Sequence, residues 1–348
     1  MSIDSARFNK SGAETSYLIH GVPVSVICDD RETSDRIRGH LAAYSADEAG
    51  AGSGITVKIS YGEVLYPVPL HSRRVLLYES IRAYYHSGNI YFTDYFSTLE
   101  IRPDKSQIRG NLSPNTIKDF GLNSFVDLFF TLTLFEMLRF KGLYYLHASA
   151  LEDPDGYGYL ISGNAGSGKS SLTLALIHAG FKFLSDDTVF MRTVGENDVE
   201  VLGFARDFHL PRDLIGEHKF LERYKDLPDF CPRRGRKLLD PDKWFPGSRL
   251  DSMMNPSVIL FPGIGEGDSG LEPLSAARAM TELLPQSLSV MFNPETAPGH
   301  LEALKRTLRH ARSFRLFNGP DLKGSPERVK DIVLRARGMA LEQRGAAP

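Results

Sequence analysis

Apolar and polar positions along this chain follow two different rhythms. From residue 15 to 102 the rhythm is that of strands. "SYLIHGVPVSVIC" (16–28), "ITVKISYG" (55–62), "RRVLLYES" (73–80) and "IRAYYHSGNIYFT" (81–93) are rich in β-branched and aromatic residues, with turn residues between them. Ser87-Gly88-Asn89 reads as a hairpin tip. "GNLSPNTIKDFGLNS" (110–124) predicts a loop or broken helix before the most apolar stretch, "FVDLFFTLTLFEMLRF" (125–140). Only eight uncharged residues separate Asp127 from Glu136. A bilayer needs roughly twenty, so the stretch predicts a buried helix with Gly142 at its C-terminal cap and no membrane partner.

After residue 142 strands and helices alternate. "LYYLHASALE" (143–152) predicts one strand, "DPDGYG" a turn, and "YLIS" (159–162) a strand that ends in a glycine loop. "KSSLTLALIHAG" (169–180) predicts a helix stopped by Gly180, and "FKFLS" (181–185) a strand that delivers Asp186 and Asp187 at its end. "TVFMRTV", "GEND" and "VEVLGFA" form a hairpin, "SVILF" (257–261) is a further strand, and late helices start near Pro298 and at Ser325-Pro326. There is no internal repeat or low-complexity tract. The expected organisation is a β-rich N-terminal domain over 1–115, an α/β domain over 116–338, and a disordered tail over 339–348.

Composition narrows the classes. A chain of 348 residues with 42% hydrophobic and 24% charged content is ordinary for a globular protein. A formal net charge of −2 argues against a surface built to hold nucleic acid. Two cysteines, Cys28 and Cys231, make neither a disulfide framework nor a zinc site. With no apolar h-region in "MSIDSARFNKSGAET", the expected location is the cytoplasm.

The chemistry concentrates in "SGNAGSGKSS" (162–171). Gly163, Asn164, Ala165, Gly166, Ser167, Gly168, Lys169 and Ser170 fit G-x-x-x-x-G-K-[ST] in full, and Ser171 follows in the helix. The glycines let backbone N–H groups turn towards a phosphate, and the next helix aims its N-terminus at the same anion. Lys169 would neutralise the β/γ-phosphates and the Ser170 hydroxyl would ligate Mg²⁺. Asp186-Asp187 comes sixteen residues beyond Ser170, so that one carboxylate can serve a metal and the other can take a proton from an attacking hydroxyl. Basic residues follow: Arg206, His209 and Arg212 in "ARDFHLPRDL", and Arg233, Arg234, Arg236 and Lys237 in "CPRRGRKLLD". Arginine suits charge that spreads over a transferred phosphoryl group.

The stretch "HASALEDPDGYGYLISGNAGSGKSSLTLALIHAGFKFLSDD" (147–187) resembles the catalytic core of the HPr kinase/phosphorylase family. That family shows a histidine on one strand, a turn, a strand into a glycine loop, a helix ending in glycine, and a strand ending in paired aspartates. The resemblance implies an α/β P-loop kinase core of the type shared with phosphoenolpyruvate carboxykinase. It also implies that Asp187 is the base, Asp186 the metal-side partner with Ser170, and His147 a neighbour of the transferred phosphate. Glu200 faintly echoes a family glutamate near the metal, but it reads first as a solvated strand carboxylate. The family's long glycine-rich signature is missing, with "FARDFHLPRDL" in its place, so HPr as substrate, phosphorolysis and a hexamer are not implied.

These readings lead to a Mg²⁺- and ATP-dependent kinase, with GTP not excluded. It would pass the γ-phosphoryl group to a hydroxyl of a protein, a peptide or a small molecule. The catalytic candidates are Asp187, Asp186, Lys169, His147 and Arg206. The alternative is a nucleotide-gated binding or regulatory module without phosphotransfer. The acceptor and the oligomeric state, a homo-oligomer included, stay open.

Overall fold

The computed structural model describes residues 14–47, 54–63, 67–78, 80–230, 235–265, 267–287, 290 and 293–345. The chain divides into two units, Met1–Gly142 with Met291–Ala297, and Leu143–Val290 with Pro298–Pro348. Cys231, Arg233 and Arg234 lie outside the described residues.

The first unit is built on an eight-stranded sheet. Its strands are β1 (Glu14–Ile19), β2 (Val22–Cys28), β3 (Ile55–Tyr61), β4 (Arg73–Tyr78), β5 (Ile81–His86), β6 (Asn89–Thr93), β7 (Thr98–Arg102) and β8 (Gln107–Leu112), in the order β1-β2-β3-β8-β7-β6-β5-β4. The expected hairpin tip joins β5 to β6, with Ser87 at φ 48° and Gly88 at φ 84°. Register separates the two faces, because residues paired across strands share a face. One face is apolar: Ile90 pairs with Ile101 and Ile101 with Ile108, while Phe92 pairs with Leu99. All five are buried. The other face carries two polar rows. Arg82, Thr93, Thr98, Asn111 and Ser60 form one, and Tyr84, Tyr91, Glu100, Arg109 and Lys58 form the other.

After β8, Ser113 caps the short helix Pro114–Phe120, and Gly121 at φ 78° turns the chain through a bend of 100° into the helix Leu122–Arg139. Among the described residues no single helix is long and apolar enough to cross a membrane; this bent pair passes the test by length and composition only. Leu122–Arg139 contains a π-helical stretch, Phe125–Phe130, and lies against β7 and β8. The apolar helix therefore belongs to the first unit. The units divide at Gly142, not at the 115/116 boundary read from the sequence.

In the second unit the expected single strand over 143–152 breaks in two. The described strands are β9 (Tyr144–Leu146), β10 (Ala148–Glu152), β11 (Gly158–Ser162), β12 (Lys182–Ser185), β13 (Val189–Val194), β14 (Asp198–Gly203), β15 (Phe208–Pro211), β16 (Asp229–Phe230), β17 (Arg236–Leu239), β18 (Met253–Met254), β19 (Val258–Ile264), β20 (Gly270–Leu274) and β21 (Arg312–Asn318). A six-stranded sheet, β12-β10-β11-β19-β21-β20, is parallel through β11, β19 and β21 and antiparallel at both edges. β9 instead joins the four-stranded sheet β18-β14-β13-β9, and β15-β17-β16 make a third sheet.

Both faces of the six-stranded sheet are covered, as its parallel centre requires. Tyr159, Ile161, Val258, Leu260, Phe314 and Leu316 point to a core shared with the helices Lys169–His178 and Pro326–Gly345. The alternate residues Leu160, Ile259 and Phe261 point to a second core with Ala276–Gln286, Ala297–His310 and the four-stranded sheet. The tail expected over 339–348 is helical through Gly345, because Met339 and the buried Ala340 pack into the first of these cores. Residues 346–348 lie outside the described residues.

One buried ion pair in the first unit generates a pH prediction. Arg139 Nη1 donates to both oxygens of Glu136, at 2.8 and 2.7 Å, with both side chains buried. Burial pushes the Glu136 carboxyl up to about 7, against the pull of Arg139. A carboxyl raised on folding keeps a proton that the unfolded chain has released, so its contribution to stability is lost as pH rises from 4.5 towards about 7. Glu136→Gln keeps the shape without the titration. Relative to the native chain, the variant should gain on the order of 1–3 kcal/mol between about pH 5 and about pH 8, read by urea unfolding at each pH.

Candidate active site

The glycine loop is the turn between β11 and the helix Lys169–His178. Gly166 (φ 81°) and Gly168 (φ 92°) occupy the left-handed region, which side chains with a Cβ rarely adopt. Gly168 stands at the helix N-cap with no side-chain cap, so the first-turn N–H groups are not spent on a capping side chain. Ser167 N–H donates to Asn164 O at 3.2 Å and closes the turn. Two carboxamides from distant parts of the chain hold it: Gln286 Nε2 donates to Asn164 Oδ1 at 2.7 Å, and Asn318 Nδ2 lies 3.5 Å from Ser167 O. Neither was legible in the sequence, because each lies more than a hundred residues from its partner and belongs to no motif.

Lys169 turns inward and is 7% exposed. Its Nζ lies 2.5 Å from His147 Nε2, 3.3 Å from Gly163 O and 3.9 Å from Asp187 Oδ1. An ammonium group has no lone pair, so His147 Nε2 must accept from it, and the ring proton sits on Nδ1. Nδ1 then donates to Asp187 Oδ1 at 2.8 Å. The other Asp187 oxygen, Oδ2, is ion-paired with Arg206. Four residues singled out from the sequence, Lys169, His147, Asp187 and Arg206, thus form one connected chain.

His147 can reach both partners because it occupies the break between β9 and β10, where the chain passes from one sheet to the other. Its N–H leaves both ladders and donates to Gln286 O at 2.9 Å. Asp186 and Asp187 form the turn after β12, where Ser185 Oγ accepts from Thr188 N–H at 3.1 Å. Ser149 Oγ, on β10, donates to Asp186 O, and Thr173 Oγ1 lies 2.8 Å from Ser149 Oγ. These two hydroxyls tie the loop's helix to the aspartate turn; they too had no sequence signal.

The environment acts on the paired aspartates in opposite senses. Burial pushes the Asp186 carboxyl up, and the adjacent Asp187 charge adds to that. Burial would raise Asp187 as well, but the Arg206 guanidinium, the His147 hydrogen bond and Lys169 outweigh it, holding this carboxyl well below the usual range. Burial lowers the Lys169 ammonium, opposed by Asp187 and Asp186. The two carboxyls are thus pushed apart, Asp186 upward and Asp187 downward.

A divalent metal was expected on Ser170 and Asp186. Asp186 is buried, and its Oδ1 has no hydrogen-bond partner among the described residues. A buried carboxyl oxygen without a partner has a lone pair free to bind a cation. Among the described residues no group of three or more His, Cys, Asp or Glu side chains could hold a metal by itself. Mg²⁺ is commonly held by one or two protein oxygens and completed by phosphate and water, so Asp186 and Ser170 fit that ion better than zinc.

The remaining candidates separate. Glu200 pairs across the β13–β14 hairpin with Arg192, at 2.6 Å, as a structural ion pair. Arg212 and Lys237 both bind Asp229, at 2.6 and 2.8 Å, and His209 stacks on Phe230 with ring centroids 4.2 Å apart. Arg236 is exposed, and its charge acts on Lys169.

No protein-family model matches the chain, and no curated protein matches it. Among solved structures it is similar to the Hpr(Ser) kinase/phosphatase from Coxiella burnetii, at 15% identity, covering 57% of this chain and 98% of that one, with a TM-score of 0.29. That overlap is too slight to assign a fold or an activity.

Gly168→Ala tests the loop. The added Cβ would meet Asn318 Nδ2 at 2.9 Å and would sit at φ 92°. A carboxamide tip can move; the backbone angle cannot be relieved that way. Urea unfolding should show a loss of about 1–2 kcal/mol. Adding Asn318→Ala should not restore it.

Proposed function

We propose that the second unit is an ATP-dependent, Mg²⁺-assisted kinase core of the HPr kinase/phosphoenolpyruvate carboxykinase type, which transfers a γ-phosphoryl group to a hydroxyl acceptor. The observation that carries this reading is the convergence of Lys169, His147, Asp187 and Arg206 at the glycine loop. Phosphoryl transfer needs two things from a protein: fixed positive charge around the moving group, and an acceptor for the attacking proton. Lys169 and Arg206 are the first and Asp187 is the second.

In this reading the backbone N–H groups of Gly163–Ser171 hold the triphosphate of ATP or GTP. Lys169 exchanges its contacts to His147 and Gly163 for phosphate oxygens. Arg206 shares its guanidinium between Asp187 and the γ-phosphate. The acceptor hydroxyl lies against Asp187, which is already ionised and takes the proton as the oxygen attacks phosphorus. The new O–P bond forms, the bond to the β-bridging oxygen breaks, and the nucleoside diphosphate leaves. His147 keeps Asp187 oriented through Nδ1–H. Bound Mg²⁺, on Asp186 and Ser170, would neutralise the phosphate charge. A hydroxyl of a protein, a peptide or a small molecule fits the chemistry equally.

The test follows γ-labelled ATP with Mg²⁺ in an extract of the source cells. Label should appear on a protein band or a new small molecule. Lys169→Ala should abolish transfer and weaken nucleotide binding. Asp187→Asn should keep nucleotide affinity within a few-fold and lose turnover by ~10²–10⁴-fold. Label left in ATP by a native chain that binds the nucleotide would favour a gated binding module instead.

A further inference from the structure

The first unit carries a cleft unrelated to the glycine loop. It holds about 210 Å³ and is lined by Tyr84, Thr93, Tyr95, Phe96, Thr98 and Asn111, with Pro67 and Val68 at its rim. Its lining takes in the middle of one polar row of the eight-stranded sheet, where Thr93 opposes Thr98 and Thr98 opposes Asn111.

The hydrogen bonding of that lining is uneven. Thr93 Oγ1 donates to Ser97 O at 2.7 Å and accepts from Tyr95 N–H at 2.9 Å and from Thr98 Oγ1 at 3.2 Å. Asn111 Nδ2 donates to Gly62 O at 3.2 Å and to Phe96 O at 3.3 Å. Two carbonyl partners fix which end of the carboxamide is nitrogen. Asn111 is 1% exposed, and its Oδ1 has no partner among the described residues. A buried acceptor lacking a donor is costly unless something completes it.

The walls are aromatic and held open at a cost. Tyr95 sits at φ 80°, where a bulky aromatic is a genuine outlier, yet the residue is 66% exposed and gains little from burial. Arg82 keeps that ring in place, with its guanidinium 4.0 Å from the ring centroid. Phe96, 44% exposed, follows directly. Backbone strain that buys no core packing collects where ligands are clamped.

We propose that this cleft binds a small planar aromatic ring bearing one hydrogen-bond donor, N–H or O–H, which faces Asn111 Oδ1 while the ring lies against Tyr95 and Phe96. The ring belongs either to a free small molecule or to a side chain of a peptide; the chemistry is the same.

The test uses the full chain labelled with ¹⁵N-asparagine, titrated with indole, with 1-methylindole and with N-acetyltryptophanamide. Indole should shift the Asn111 side-chain amide saturably. 1-Methylindole, which keeps the ring and lacks the donor, should bind ~10-fold or more weakly. N-acetyltryptophanamide binding as tightly as indole would assign the ring to a peptide, and weaker binding would assign it to a free molecule. Replacing Asn111 would strip two carbonyls of their donor, so the variant of choice is Tyr95→Gly. It relieves the backbone and should lose indole affinity ~10-fold or more at an unchanged or raised Tm. Equal affinity for indole and 1-methylindole, no response at Asn111, or a Tyr95→Gly variant that binds indole as the native chain does would overturn the proposal.

Discussion

A buried ammonium group must be answered, and the second unit is arranged around the answer given to Lys169. Taking that charge out of water is unfavourable unless acceptors surround it. Here they are the His147 ring, the Gly163 carbonyl and, farther off, Asp187. Each draws on a different element: the break between two strands, the start of the loop, and the turn after β12. Arg206 then balances the negative charge of Asp187. Removing any one member leaves another polar group unmatched, so the four side chains act as a unit.

That unit depends on a discontinuity. Had residues 143–152 formed one continuous strand, the backbone at His147 would have remained in a ladder. Passing from the four-stranded to the six-stranded sheet releases the His147 N–H, which finds Gln286 O instead. Gln286 also holds Asn164 in the loop. A single side chain and its backbone carbonyl thus connect the loop's shape to the position of the histidine.

Much of this was legible in the sequence. The glycine loop, its flanking strand and helix, and the aspartate turn announce themselves through glycine spacing and the change from period 2 to period 3.6. The strands of the first unit are equally plain, because alternate residues face an apolar core. Ser149, Thr173, Gln286 and Asn318 were not legible: each is an ordinary polar residue whose partner is set by tertiary packing alone. The unit division differs from the boundary read from the sequence because 110–124 reads as a loop or broken helix, whereas the helix that follows lies against β7 and β8. The end of the last helix was misread because polar flanks conceal the buried Ala340.

The two carboxamides that shape the loop also set an order in time. Strand, loop and helix are complete by His178, but Gln286 follows far behind, and Asn318 stands 151 residues beyond Ser167. During synthesis at about 5–20 residues per second, the loop waits roughly 8–30 s for the second amide. Until then the nascent chain carries the motif without the two amides that hold its shape, so the finished glycine loop is among the last features of this protein to mature.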